Sequence, residues 1–397
     1  MYFLFGLRSS LLLIFFTHLV VYAFLFWKRG IKQERLADRL LGTFLFLSAL
    51  FIFPWMAGFA GWYDTQPYRD ILFYTPFIHA LCFGPLLYLY LKSLTNNGYR
   101  ITRKDWLHFL PGGLYVLWSV VVAVTDKWIV KDYYLMNGYS DPDFDSWYSF
   151  TWSLSLLTYL IFAIRYYRQY ITFSQYEFSF AYEAGFKWLR NFLYLFSMLT
   201  ILLLSEQILS LFINLHYIRS WYYFFAFALM VYYMAITGYN TGPVPYIKLN
   251  FQPQLLLEYR APLLLDYPQV TVSDQPEAMP EWMNEWKQLV MQLVEVEKVY
   301  TDPELTLTQL ARQMNTNASL LSKVINTCFR QNFNDFINYY RVQETIRLMQ
   351  SDAHRHLNLL VIAYEAGFNS KSTFNRAFKK VTGKTPGDYP QAAQRSE

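Results

Sequence analysis

Charge is scarce in this chain. Only 16% of its 397 residues are charged, against about 25% in an ordinary soluble domain. Cysteine is scarcer. Cys82 and Cys328 are the only two, far apart and in different kinds of segment, which argues against a structural disulfide and a cysteine-based metal site. HExxH, GxSxG and Walker-type motifs are absent, as are paired carboxylates within the apolar runs, so no catalytic constellation is legible. The chain therefore reads as a non-enzyme, with no metal or cofactor site. The first apolar run has no small-x-small cleavage site, and its basic flank (Lys28, Arg29) follows rather than precedes it. It reads as an uncleaved anchor, not a signal peptide. The net charge of +5 is too weak to name a partner.

What is present is apolar and aromatic: 54% and 20% of residues. The distribution is uneven. Of 81 aromatic residues, 13 fall in 281–397 and 68 in 1–280. Residues 281–397 carry 14 Lys/Arg and 12 Asp/Glu, like a soluble domain. Residues 1–240 hold 18 Lys/Arg and 13 Asp/Glu, clustered between long apolar runs. This excludes a disordered chain and a single globular domain. The expected fold class is all-α: a seven-helix transmembrane bundle, then a cytoplasmic all-α domain.

A membrane-spanning helix needs roughly 20 mainly apolar residues. Seven segments qualify: 3–27, 38–60, 71–94, 106–124, 147–166, 191–213 and 220–239. Basic residues in the connecting segments set the orientation. One side carries 13, including Lys28, Arg39, Lys104 and Arg190; the other carries four, Arg69, Lys127, Lys131 and Arg219. The basic side should be cytoplasmic, which puts the N-terminus outside and the C-terminal domain in the cytoplasm. The acidic segment 125–146 should face outward. Pro54, Pro76 and Pro85 should kink helices or mark their ends.

Few polar groups interrupt the apolar runs. Glu206 and Gln207 sit inside FSMLTILLLSEQILSLF. An ionisable group at such a position costs about 2.5–3.5 kcal/mol or more to insert, so Glu206 needs a partner or a water-lined cavity. Two readings stand: a ligand- or proton-sensing site, or a structural interhelical hydrogen bond. His79 and His18 are weaker sensing candidates, and each reads more simply as a packed helix histidine.

Residues 241–280 hold seven of the 16 prolines. They read as an extended, semi-rigid linker between a 1–240 membrane domain and a 281–397 domain.

From Glu281 the pattern is helical throughout. Trp282, Trp286, Leu289, Val290, Leu293 and Val296/Val299 predict an amphipathic helix over 281–299. Two similar units follow. In the first, 305–329, a short helix carries Ala311 at its tight contact, and Asn317 can cap the next helix. Leu321, Val324 and Ile325 should face inward and Ser319, Ser322, Lys323 and Asn326 outward. In the second, 357–383, Ala363 makes the contact, Gly367 suits a left-handed turn, and Phe368, Phe374 and Phe378 form the core. Ser370, Lys371, Ser372, Asn375, Arg376, Lys379 and Lys380 remain for the polar, basic side. Residues 370–384 contain five basic and no acidic residues. A small contact residue, a turn and a helix with a polar-basic face make the helix-turn-helix pattern, whose second helix enters the major groove. The two units lie 52 residues apart, Ala311 to Ala363. Between them, 332–350 reads as one helix that would hold both recognition helices over successive major grooves of double-stranded DNA, about 34 Å apart.

These residues carry a resemblance. Ile362-Ala363, Gly367-Phe368, Ser370, Ser372, Phe374, Arg376, Phe378-Lys379-Lys380, Gly383, Thr385-Pro386 and Tyr389 follow in order the second-unit signature of AraC/XylS-type transcription regulators. LLSKVIN and NFNDFINYYRV resemble the first half. The resemblance covers about 30% of the chain, 281–397 of 397 residues. It implies sequence-specific binding to an asymmetric DNA site through two tandem units, commonly as a homodimer. Pro390 stands where the family often has an arginine. The N-terminal half does not resemble the family's sugar-binding barrel. It is similar to the multi-helix sensor half of membrane-bound regulators of this type in Bacteroidetes-like bacteria.

The leading expectation is a membrane-anchored one-component regulator, with the lipid bilayer, DNA and a signal ligand or membrane partner as its partners. Activation in place and proteolytic release within the linker both fit. The alternative is a transporter or channel with a regulatory helical domain. Against it stand the lack of an obvious internal repeat and the single clear intramembrane carboxylate.

Overall fold

The computed structural model describes residues 5–136, 141–180, 187–213, 217–240, 251, 253, 280–354 and 357–389. Among these it is all-α and holds no strand; Phe178 and Thr306 form an isolated antiparallel bridge. Most of the proline-rich 241–280 segment and Pro390 lie outside the described residues. The chain forms two compact units. One comprises 1–166 and 188–250; the other comprises 167–187 and 251–397.

In the first unit every apolar segment predicted from the sequence is at least partly helical. Among the described residues, six helices are long and apolar enough to cross a membrane. They are α1 (Leu7–Lys32), α2 (Leu36–Phe59), α5 (Arg103–Val130), α6 (Ser146–Glu177), α7 (Lys187–Phe212) and α8 (Tyr217–Asn240). The remaining segment, 71–94, is broken. It forms a short α3 (Tyr68–Tyr74) and an apolar α4 (Phe83–Thr95). The interruption centres on Pro76. Thr75 before it is extended, at φ −103° and ψ 115°, because the proline ring excludes the helical region for its predecessor.

α1 packs along α2, α2 on α4 and α1 on α8. Gly42 lets α1 and α2 approach, since a Cβ there would meet Ala23 O at 3.0 Å and the Trp27 side chain at 2.9 Å. At the ends of these helices Arg29 joins three elements. Its guanidinium forms a double hydrogen bond to buried Asp38, at 2.7 and 2.9 Å, and donates to Tyr239 O at 2.8 Å. A bidentate pair of this kind is geometrically specific as well as strong.

The second unit holds α9 (Glu281–Glu295), α10 (Leu307–Gln313), α11 (Ala318–Phe329), α12 (Phe333–Met349), α13 (Leu359–Glu365) and α14 (Lys371–Thr382). α9 ends at Glu295, earlier than its apolar pattern predicts. It buries Met283, Val290 and Val294 and leaves Trp282 and Leu289 exposed, as is Val296 just past its end. Apolar residues occupy two faces of this helix, so periodicity alone could not select the inward one. α12 is the central support. Val342, Ile346 and Met349 pack with Ala363, Phe368, Phe374 and Phe378, and Phe336 on the same helix meets Phe329 of α11 at 4.6 Å between ring centres.

α6 runs to Glu177, past the predicted 147–166, and its last residues belong to the second unit. The chain beyond it lies against α12. Asn334 Nδ2 donates to Phe178 O at 3.1 Å and Asn338 Nδ2 to Ser179 O at 3.0 Å. Ser179 N donates to Leu305 O at 3.2 Å.

Candidate nucleic-acid interface and polar cavity

The two helix-turn-helix units are built alike. Thr306 caps the start of α10 and Asn358 the start of α13, 52 residues later. Each first helix ends on a left-handed residue, Asn315 at φ +52° and Gly367 at φ +97°. Each closes with the same bond, Thr316 N to Ala311 O at 2.9 Å and Phe368 N to Ala363 O at 3.0 Å. This is a left-handed C-cap, which satisfies the last carbonyls and turns the chain. The contact residues Ala311 and Ala363 are buried. Asn317 then caps α11, accepting from Leu320 N at 2.7 Å, and Ser370 caps α14, accepting from Thr373 N at 3.3 Å. The second turn is one residue longer.

α14 is cleanly two-faced. Thr373, Phe374, Ala377 and Phe378 are buried, while Lys371, Ser372, Asn375, Arg376, Lys379 and Lys380 are exposed. Lys380 pairs with Asp335 of α12 at 2.7 Å, so part of its charge is engaged within the unit. Ser370 acts as a cap, in addition to any role toward DNA. On α11, Ser319, Lys323 and Asn326 are partly exposed. Ser322 is not: it is 2% exposed and accepts from Asn326 Nδ2 at 3.2 Å. It lies one turn before Ile325 and shares that residue's inward face, which removes it from the polar side the sequence suggested. The Lys323 ammonium sits 5.8 Å from the ring centre of Trp282 on α9.

Sequence reasoning missed Arg341. It is fully buried in the middle of α12. Its guanidinium donates to Tyr300 O at 2.7 Å, Asp302 O at 2.6 Å, Ser179 O at 3.3 Å and Ser179 Oγ at 3.0 Å. It thereby ties together segments distant in sequence. The one visible signal was a lone arginine amid an inward-facing apolar pattern.

In the first unit, Glu206 and Gln207 line a cavity of about 650 Å³. Gln207 Nε2 donates to Glu206 Oε2 at 3.1 Å. Asp141, Asp143 and Arg69 line the same cavity. His79 does not. It occupies the break between α3 and α4 rather than a helix interior, because Pro76 stops the helix before it. His18 Nδ1 donates to Ile14 O, 2.7 Å away, and its ring lies edge-on to Tyr232. In the acidic segment, Asp141 and Asp143 are buried: Asp141 Oδ1 accepts from Asp143 N at 3.0 Å, and Asp143 Oδ2 accepts from Phe77 N and Ile78 N at 2.8 and 2.9 Å. Among the described residues no cluster of three or more His, Cys, Asp or Glu could hold a metal ion.

Residues 310–392 match a family model described as a helix-turn-helix domain. The match supports a DNA-binding regulator of AraC type. The chain matches no curated protein and no solved structure.

Proposed function

We propose that this protein is a membrane-anchored one-component transcription regulator. Residues 1–240 form its membrane domain, 241–280 its linker and 281–397 its DNA-binding domain. The observation that carries the reading is the pair of helix-turn-helix units with the same capped turn 52 residues apart, over the stretch that matches the helix-turn-helix family. A single helical hairpin is common; two in register on one supporting helix suit two adjacent major grooves.

On this reading α11 and α14 enter the grooves. Lys323, Asn326, Asn375, Arg376 and Lys379 are the candidates for base and phosphate contacts, since arginine and lysine suit guanine edges and asparagine suits adenine. The six apolar helices support membrane anchoring at a bacterial inner membrane. The basic excess on one set of connections supports a cytoplasmic C-terminus. A signal met by the first unit, through the cavity that Glu206 and Gln207 line, controls DNA binding. The exposed Trp282 and Leu289 of α9, with Val296 just past its end, offer a surface for a homodimer.

The test is a mobility shift with the full chain in detergent and DNA from upstream of its own gene and its neighbours. A shift that weakens steeply with salt is expected. Absence of any shift across that DNA sinks the reading. A phosphatase reporter joined after Glu397 tests the orientation, and should be inactive if the end is cytoplasmic.

A further inference from the structure

The cavity in the first unit has an uneven chemistry. Three carboxylates, Asp141, Asp143 and Glu206, face one cation, Arg69. Among the described residues none of the three forms an ion pair. Among the described residues, buried Arg69 Nε meets no hydrogen-bond acceptor. The rest of the wall is largely aromatic. Trp55 stacks on Phe224 at 4.2 Å, and Phe51 lies 4.7 Å from Phe227 and 6.2 Å from Trp152 between ring centres.

Burying carboxylates without a counter-charge is costly. The cost is visible at Asp141. Burial, with the nearby Asp143 charge adding to it, pushes its carboxyl up to about 7, although the Tyr63 hydroxyl partly opposes this. Asp143 is likewise pushed up by burial. A cation entering the cavity would relieve both, and aromatic faces attract a desolvated cation. The volume is within the range of sites that enclose a small organic molecule, roughly 300–1,000 Å³; a bare metal ion would leave it mostly empty.

We propose that this cavity binds an organic cation, an ammonium or similar centre on an apolar body, held by Asp141 and Glu206 and enclosed by the Trp55, Phe224 and Phe51 wall. This deepens the sensing role proposed above and rests on it for its meaning, though the binding itself does not depend on DNA. Entry of the cation favours the ionised form of Asp141, so binding releases protons and strengthens as pH rises through neutrality. Asp143, Asp145 and Tyr63 face Asp141 along its own segment and α3's approach, and Arg69, Glu206 and Tyr223 line the cavity with it. Arg69 offsets one carboxylate and leaves the negative excess.

Tetraphenylphosphonium and tetraphenylborate test this well, being nearly identical in shape and opposite in charge. The full chain is placed in phosphatidylcholine nanodiscs, and binding is measured against empty discs. Saturable binding of the phosphonium alone is expected, tightening from about pH 6 to about pH 8 and weakened roughly tenfold or more by Asp141→Asn or by Glu206→Gln. Should Asp141→Asn fail to fold, Glu206→Gln retains the shape and still decides. Equal saturable binding of the borate overturns the proposal. So does phosphonium binding that matches the empty discs, or that ignores both substitutions. Binding of the zwitterion Phe-Phe without the phosphonium would also overturn it, by assigning Arg69 Nε to a carboxylate instead. A mobility shift by the same full chain reports separately on the regulator reading, so failure of one is distinguishable from failure of the other.

Discussion

Arg341 and Ser179 meet across 162 residues of sequence: the guanidinium reaches both the serine carbonyl, at 3.3 Å, and its hydroxyl, at 3.0 Å. The segment after α6 is thus part of the compact unit that carries the helix-turn-helix repeats. Phe178, Ser179 and Phe180 are buried there, and Ser179 N adds a backbone bond to Leu305 O. A fragment of residues 281–397 lacks this segment and leaves Arg341 without two of its acceptors. A peptide of residues 173–181 should bind that fragment and raise its Tm by a few degrees at tenfold excess over its Kd, which corresponds to about 1.4 kcal/mol. The same peptide with Ser179→Pro loses the donor to Leu305 and should give no rise. Equal rises with both peptides, read by scanning calorimetry, would show that the docking is not specific.

Gly367 is constrained twice. Its φ is +97°, and a Cβ would collide with Tyr300 O and approach Thr301 Cα at 2.8 Å. Backbone atoms cannot swing aside as a side chain can. Gly367→Ala should therefore destabilise the second unit by about 2–3 kcal/mol, more than the usual penalty of about 1 kcal/mol for a left-handed alanine. Asn315→Gly, at the matching position of the first unit, should be close to neutral because φ is +52° and asparagine already tolerates that region. Denaturant unfolding of the two variants checks the contrast.

Much of this was legible where one periodicity dominated. α14 places Phe374 and Phe378 inward and Arg376 and Lys379 outward with no competing pattern, and the caps Asn317 and Gly367 follow from local backbone chemistry. Local rules fail where tertiary partners decide. Asp141 reads as a solvated loop acid, yet it is 7% exposed beside a cavity, because its oxygens cap Asp143 N and accept from Tyr63. An arginine is ordinarily exposed, yet carbonyls of 179, 300 and 302 bury Arg341. α9 misled for the opposite reason, since Trp282 and Leu289 suggest a core face as readily as Met283 and Val290. Ser322 went astray because one-turn spacing to Ile325 outweighs its polarity.

Arg376 and Lys379 are exposed on α14, whereas Lys380 is tied to Asp335. Their removal should separate DNA affinity from stability. Arg376→Ala should cost about 1–3 kcal/mol of binding to a specific site if it reads a base. Lys379→Ala should weaken specific and non-specific DNA alike and reduce the salt slope by about 1 if it meets a phosphate. Both should leave Tm nearly unchanged, since neither side chain is buried. Lys380→Ala should do the reverse in part, loosening α14 from α12. Mobility shifts at two salt concentrations, together with melting curves, distinguish the three cases. Unchanged affinity in both Arg376→Ala and Lys379→Ala would remove α14 from the interface.

Acid should loosen the joint between α12 and the turn before α10. Arg347 donates to Glu344 Oε2 and Oε1, each at 2.8 Å, and Lys298 donates to Oε1 at 3.0 Å. The Arg347 hydrogen bonds first, and then Lys298, hold the Glu344 carboxyl down at about 2, against the partial burial that opposes them. A depressed carboxyl favours the folded state wherever the unfolded chain would already be ionised. The contribution is therefore complete above about pH 5 and declines as pH falls through the ordinary value of 4.5 toward 2. Lys298 and Arg347 are substantially exposed, so salt should screen part of it. Glu344→Gln should flatten the pH dependence of unfolding of the second unit between about pH 5 and about pH 2, and lower stability at neutral pH. A variant whose pH profile runs parallel to that of the original protein across this window would show that Glu344 is not the group being titrated.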